Sequence, residues 1–109
     1  VSLPAIIRAA AVRDIEAQVR YLQRHASLAV SIRFFDEIER LTIRLGEYPM
    51  LGAAMEVHAP HLPPLRSHAV PTFPRTLLIY TVGAHAVEVL RVLDGSRDLP
   101  EHLARTSPE

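Results

Sequence analysis

A chain of 109 residues, about half of them hydrophobic, has the size of one ordinary domain and can bury a real core, which excludes wholesale disorder. Twelve basic residues balance twelve acidic ones, which argues against a bulk electrostatic grip on nucleic acid and leaves open a local basic patch; no direct sequence-specific nucleic-acid binding is expected. The absence of Cys rules out disulfides and thiolate metal sites, and no apolar run is long enough to span a membrane. The first residues also lack the pattern of a signal peptide, so a cytoplasmic protein is expected.

All twelve basic residues are arginine. Arginine presents a planar fork that pairs bidentately with carboxylate or phosphate, which suits the surface to acidic partners.

The first predicted element is an edge strand over Leu3 to Arg8, because Pro4 lacks the N–H that an inner strand would need. A helix follows from Ala11 to about His25, with Val12, Ile15, Val19 and Leu22 on one face and Asp14 in its first turn, where the helix dipole favours an acid. Ser27 is placed to cap the next helix, Leu28 to Leu45. Its core stripe is expected along Leu28, Ile32, Phe35, Ile38, Leu41 and Leu45, with Phe34 and Ile43 off that stripe and Gly46 as C-cap. The short link between the helices implies an antiparallel helical hairpin. Residues 47–64, broken by five Gly and Pro positions (Pro49, Gly52, Pro60, Pro63 and Pro64), read as irregular.

Leu65 to Val70 is a candidate strand. The strongest feature comes next: Leu77 to Val82, then Gly83-Ala84-His85, then the β-rich Ala86 to Leu93, an antiparallel hairpin. Leu77, Ile79 and Thr81 face one way and Leu78, Tyr80 and Val82 the other, so this strand should be covered on both sides. The hairpin ends in the polar turn Asp94-Gly95-Ser96-Arg97-Asp98, and Asp98 with Glu101 has capping-box spacing for a short terminal helix over Leu99–Ala104. The expected architecture is one α+β domain over residues 1–109, with an N-terminal edge strand, a helical hairpin, a three-stranded antiparallel sheet and a short C-terminal helix.

Taken together, Asp14-Ile15 and Tyr21-Leu22 in the first helix, Tyr48-Pro49-Met50-Leu51-Gly52 after the second, Leu65-Arg66, LLIYTV over 77–82 and VEVLRVLDGSRDL over 87–99 resemble the RelE/ParE superfamily of bacterial toxins, on its ParE side. The resemblance covers residues 3–104, and its most specific part is the closing strand with its Gly-x-Arg-Asp turn. It implies the toxin of a type II toxin–antitoxin pair. Such a toxin binds DNA gyrase, turns it into a source of DNA breaks, and is neutralised by a cognate antitoxin wrapped around it. The sequence departs from the family in carrying Asp94 where His is usual.

On that reading Arg66, Arg91, Asp94 and Arg97 are candidates for target contact at one end of the sheet. The alternative is that the arginines pair with Asp94, Asp98 or Glu88 and only hold the turn. Phe34, Ile38, Ile43 and Leu45 are candidates for a groove that takes an antitoxin helix. The RelE branch, which cuts messenger RNA on the ribosome, is the alternative function, and a non-toxic antitoxin-binding relic is a third. Ribonuclease chemistry needs a base and charge-stabilising cations. Arg66, Arg91, Arg97, His68, His85 and His102 are the available groups, and no acid–base pair is recognisable from their spacing. Catalytic residues are therefore not expected. His58 and His61 with Glu56 nearby give a metal too few ligands, so a solvated loop is expected there, without metal or cofactor.

Overall fold

The computed structural model describes residues 2–57, 59–95 and 98–108. The elements are β1 (Ala5–Ile7), α1 (Ala9–His25), α2 (Leu28–Glu47), β2 (Ala53–Ala54), β3 (Arg66–Val70), β4 (Phe73–Val82), β5 (Val87–Asp94) and α3 (Leu99–Ala104). The class is α+β as expected, but the sheet is larger than three antiparallel strands: it is a five-stranded mixed sheet in the order β1-β5-β4-β3-β2. β4 runs antiparallel to both of its neighbours, β3 and β5, whereas β1 lies parallel to β5, with Ala5 beside Val87 and Ile7 beside Val89. The parallel pairing follows from the intervening hairpin of helices, which returns the chain so that β1 occupies the outer edge of β5.

β4 is central and, over Leu78–Thr81, buried on both faces, as its apolar run requires. Leu78 and Tyr80 join Val87, Val89 and Val92 beneath α1 and α2. Ile79 joins Leu90 and Leu93 on the opposite face, where Leu62 and Leu65 of the connecting loop and Leu103 of α3 cover them. A β-bulge sits in this hairpin: Ile79 lies opposite Arg91 and Tyr80 opposite Val89, so Leu90 is the extra residue. The bulge shifts the alternation of β5 by one, and Val92 rather than Arg91 continues the helix-facing row begun by Val87 and Val89.

Ser27 caps α2 as expected, accepting the Val30 N–H at 3.1 Å. The face that α2 buries differs from the expected stripe. Phe34, Ile38, Leu41 and Leu45 are all less than 5% exposed, whereas Leu28, Ile32 and Phe35 are 62%, 52% and 47% exposed. The cause is helical arithmetic. Steps of three residues, as in Ile32-Phe35-Ile38-Leu41, each fall about 60° short of a full turn and walk off the face, whereas the 4-3-4 spacing from Phe34 to Leu45 stays on it. Gly46 is not the C-cap; α2 runs on to Glu47, and Gly46 lets the chain before β1 pass close, with Leu3 N–H donating to its carbonyl at 2.8 Å. A Cβ at Gly46 would collide with the Leu3 carbonyl oxygen.

α3 is capped by Asp98, whose carboxylate accepts the Glu101 N–H at 3.4 Å. Leu103 is its fully buried anchor. Leu103→Ala is expected to cost about 3 kcal/mol, through lost transfer energy and the cavity left under α3. A urea titration monitored by circular dichroism checks this, and a loss below about 1 kcal/mol would show that α3 is not integral to the second core.

Candidate interaction surface

Of the arginines expected at one end of the sheet, Arg66 and Arg91 are committed in different ways. Arg91 makes a bidentate pair with Asp14 of α1, Nε to Oδ2 at 2.7 Å and Nη2 to Oδ1 at 2.9 Å, and its third nitrogen donates to Thr106 Oγ1 at 3.0 Å. The hydrogen bonds from Arg91 to Asp14 outweigh burial and raise the guanidinium pKa above its usual value. Asp14 also accepts the Val92 N–H at 3.0 Å. β1 is paired with β5 only from Val87 to Val89, so this carboxylate satisfies a backbone donor on the otherwise open edge beyond. Since α1 starts at Ala9, Asp14 lies in the second turn and serves as a tie to β5 rather than a first-turn acid.

Two of the local acids expected to pair with the arginines are taken elsewhere. Glu88 pairs with Arg8, and Asp98 caps α3. No sequence signal could have joined positions 14 and 91, because they meet only once α1 lies on the sheet.

Arg66 serves the loop after α2. Its Nε donates to the Gly52 carbonyl at 2.9 Å and its Nη2 to the Met50 carbonyl at 3.2 Å. The buried Tyr80 hydroxyl clamps the same loop, accepting the Gly52 N–H at 2.9 Å and donating to the Pro49 carbonyl at 2.7 Å. Asp94 is exposed at the end of β5, on the wall of a cleft of about 370 Å³ that also includes Gln18, Tyr21 and His102. Arg97 lies outside the described residues, as does His58.

The groove expected along Phe34, Ile38, Ile43 and Leu45 is not a surface feature. Phe34, Ile38 and Leu45 form the core under α2, Phe34 edge-on to Phe73 at 5.2 Å between ring centroids, and only Ile43 reaches solvent. They are core because α2 rests on the sheet through the stripe that contains Phe34.

The described histidines are distributed rather than gathered. His61 Nε2 donates to the Thr106 carbonyl at 3.0 Å, His68 Nδ1 donates to the Ala69 carbonyl at 2.6 Å, and His85 sits exposed in the β4–β5 turn. Among the described residues there is no group of three metal-ligating side chains placed to hold an ion. Glu37, on α2, accepts both the backbone N–H and the hydroxyl of Thr72, and the hydroxyl bond lowers its carboxyl pKa.

The feature that sequence reasoning missed is the surface on the far side of α2. A cleft of about 550 Å³ between α2 and β3 meets a depression of about 470 Å³ beside the 48–51 loop, the two sharing Arg44 and Leu51. Tyr48, Met50 and Leu51 are 59%, 65% and 41% exposed there. Their presence in a Pro-Gly loop was legible; their display was not, because it depends on the Tyr80 and Arg66 clamps.

A helical hairpin on a mixed sheet, closed by a short helix and displaying a clamped apolar loop, is the frame of a small type II toxin. The chain belongs to the ParE toxin family: the family model described as "ParE toxin of type II toxin-antitoxin system, parDE" matches residues 5–99. Among solved structures, the fold is similar to a chain of the "Chromosomal ParDE TA system from P. aeruginosa", with a TM-score of 0.68, 13% sequence identity, and coverage of 84% of this chain and 94% of that one. Comparison with curated proteins gives no match. Among the described residues no helix is long and apolar enough to cross a membrane.

Proposed function

We propose that this chain is a toxin that acts by docking, inhibits DNA gyrase without breaking a bond itself, and is neutralised by a cognate antitoxin in the cytoplasm. Gyrase as target is what the family resemblance implies. The observation that supports the docking mode is the commitment of Arg91, Arg66 and His68, three of the groups available to a nuclease. Arg91 is bound to Asp14 and Thr106, Arg66 to loop carbonyls, and His61 and His68 to backbone carbonyls. A general base must be within hydrogen-bond reach of the proton it removes, with a cation near the developing charge. These described groups hold the fold together instead. The exposed end of β5 at Asp94, leading into Arg97, is the proposed target-facing end, with Arg91 supporting it from behind.

The purified protein is expected to inhibit gyrase supercoiling and to accumulate cleaved plasmid in a gyrase-dependent manner. Induction in cells is expected to trigger a DNA damage response and filamentation before translation slows. Prompt translational arrest with cleaved messages and unaffected supercoiling would establish the RelE-type activity instead. Absence of toxicity with antitoxin binding intact would mark a relic.

A further inference from the structure

We infer that the cavity between the first turns of α1, the edge of β5 and the segment after α3 is a binding site for a small phosphate dianion. The cavity has a volume of about 260 Å³, and arginines from three separate parts of the fold line it: Arg13 on α1, Arg91 on β5 and Arg105 directly after α3. Asp14 is the one acid in the lining, so the lining carries two positive charges in excess. Both oxygens of that acid are spent, Oδ1 on Arg91 and Oδ2 on Arg91 and the Val92 N–H. Glu101 approaches Arg105 only to 3.7 Å, with the two side chains 61% and 67% exposed, a pair that solvent screens.

Donors remain for a ligand. A guanidinium has five N–H groups, and Arg91 uses three of them on Asp14 and Thr106. Arg13 is exposed and makes no ion pair among the described residues. Ala9 and Ala10 line the same cavity, ahead of Val12, whose N–H makes the first bond of the helix, to the Arg8 carbonyl. The positive end of α1 adds to the field of the arginines, because Arg8 makes no capping bond and no acid stands in the first turn.

Geometry selects the anion. Donors converging from three directions suit a tetrahedral group, which accepts on every side, better than a planar carboxylate. The volume lies below about 300 Å³, the lower bound of ordinary ligand pockets, so phosphate or diphosphate suits it better than a whole nucleotide. The site is also held in place beforehand. The Thr106 N–H donates to the Leu103 carbonyl at 3.1 Å, its hydroxyl to the His102 carbonyl at 2.8 Å, and its own carbonyl accepts from His61 at 3.0 Å, which fixes the segment carrying Arg105. No histidine or tyrosine lines the cavity, and its acid is spent on Arg91 and Val92, so the site binds an anion without supplying a base to act on it. Asp94 does not line it, so the site is separate from the proposed target-facing end.

The test uses the full chain, titrated with sodium diphosphate, sodium phosphate and sodium acetate at constant ionic strength and followed by calorimetry and amide NMR. Diphosphate is expected to saturate with a Kd of about 1 mM or tighter, and phosphate about tenfold more weakly. The Ala9 and Ala10 amides and the Arg13 and Arg91 Nε–H resonances are expected to move most, which locates the site in the unaltered protein. Arg13→Ala with Arg105→Ala is expected to weaken diphosphate binding about tenfold or more, with the fold checked by circular dichroism. Arg20→Ala with Arg24→Ala, on α1 but outside the lining, is expected to change it less than about twofold. No saturation by diphosphate or phosphate up to about 10 mM overturns the site, and so does equal loss in the two double variants, which marks diffuse attraction. Acetate binding as tightly as phosphate overturns the ligand class, and resonance shifts centred elsewhere overturn the location.

Discussion

Asp14→Ala is expected to lower folding stability by about 3 kcal/mol, a fall in Tm of roughly 12 °C for a domain this size. The carboxylate holds Arg91 bidentately and accepts the Val92 N–H on the uncovered stretch of β5. The Arg91 and Asp14 side chains are only 16% and 14% exposed, so the pair is largely withdrawn from solvent screening. Removing the acid therefore leaves a cation with no neutralising partner and a backbone donor without an acceptor, and both losses act at the junction of α1 with the sheet. Asp14→Asn keeps an acceptor for Val92 and is expected to cost about half as much. Asp14→Leu combined with Arg91→Met is expected to recover most of the loss, because two apolar side chains leave no orphaned charge. Urea titrations at low and high salt decide the matter. A cost for Asp14→Ala below about 1 kcal/mol that vanishes at high salt would mean the pair behaves as an ordinary surface contact.

The second large effect is expected at Gly52. A Cβ there would lie 2.6 Å from the Ser67 carbonyl oxygen and 2.7 Å from the Tyr80 hydroxyl. Neither neighbour can withdraw: one is backbone in a paired strand, and the other belongs to a fully buried ring. The loop must move instead, and with it go the Tyr80 and Arg66 hydrogen bonds to residues 49–52. Gly52→Ala is expected to cost about 3 kcal/mol and to disturb the display of Met50 and Leu51 by that loop. Tyr80→Phe separates the two contributions. It removes the hydroxyl without a clash and is expected to cost about 1.5 kcal/mol. If Gly52→Ala is as stable as the wild type in a urea titration, the loop is free to adjust and its display is not preorganised.

Much of the framework was legible because its signals are local. Ser27 as a cap, the edge strand that begins just after Pro4, the Gly83 turn and the Asp98 cap all express constraints acting within a few residues. The two-sided burial of β4 was legible for the same reason, since an apolar run without alternation has no face to give to water. The phase of α2 was harder. Phe34 and Phe35 are adjacent, both apolar, and both compatible with a helical stripe, and contact with the sheet chose Phe34.

From the order of its residues alone, this protein is a helical hairpin followed by a β-hairpin rich in aliphatic residues, because propensity, capping and periodicity are properties of neighbours along the chain. Folding in three dimensions decided that β1 joins β5 in parallel, that Asp14 meets Arg91, and that Tyr80 and Arg66 hold the loop displaying Tyr48, Met50 and Leu51. The physical reason is that an ion pair or a clamp spanning dozens of residues is selected by the packing of whole elements, and its members carry no mark of one another until those elements are in contact.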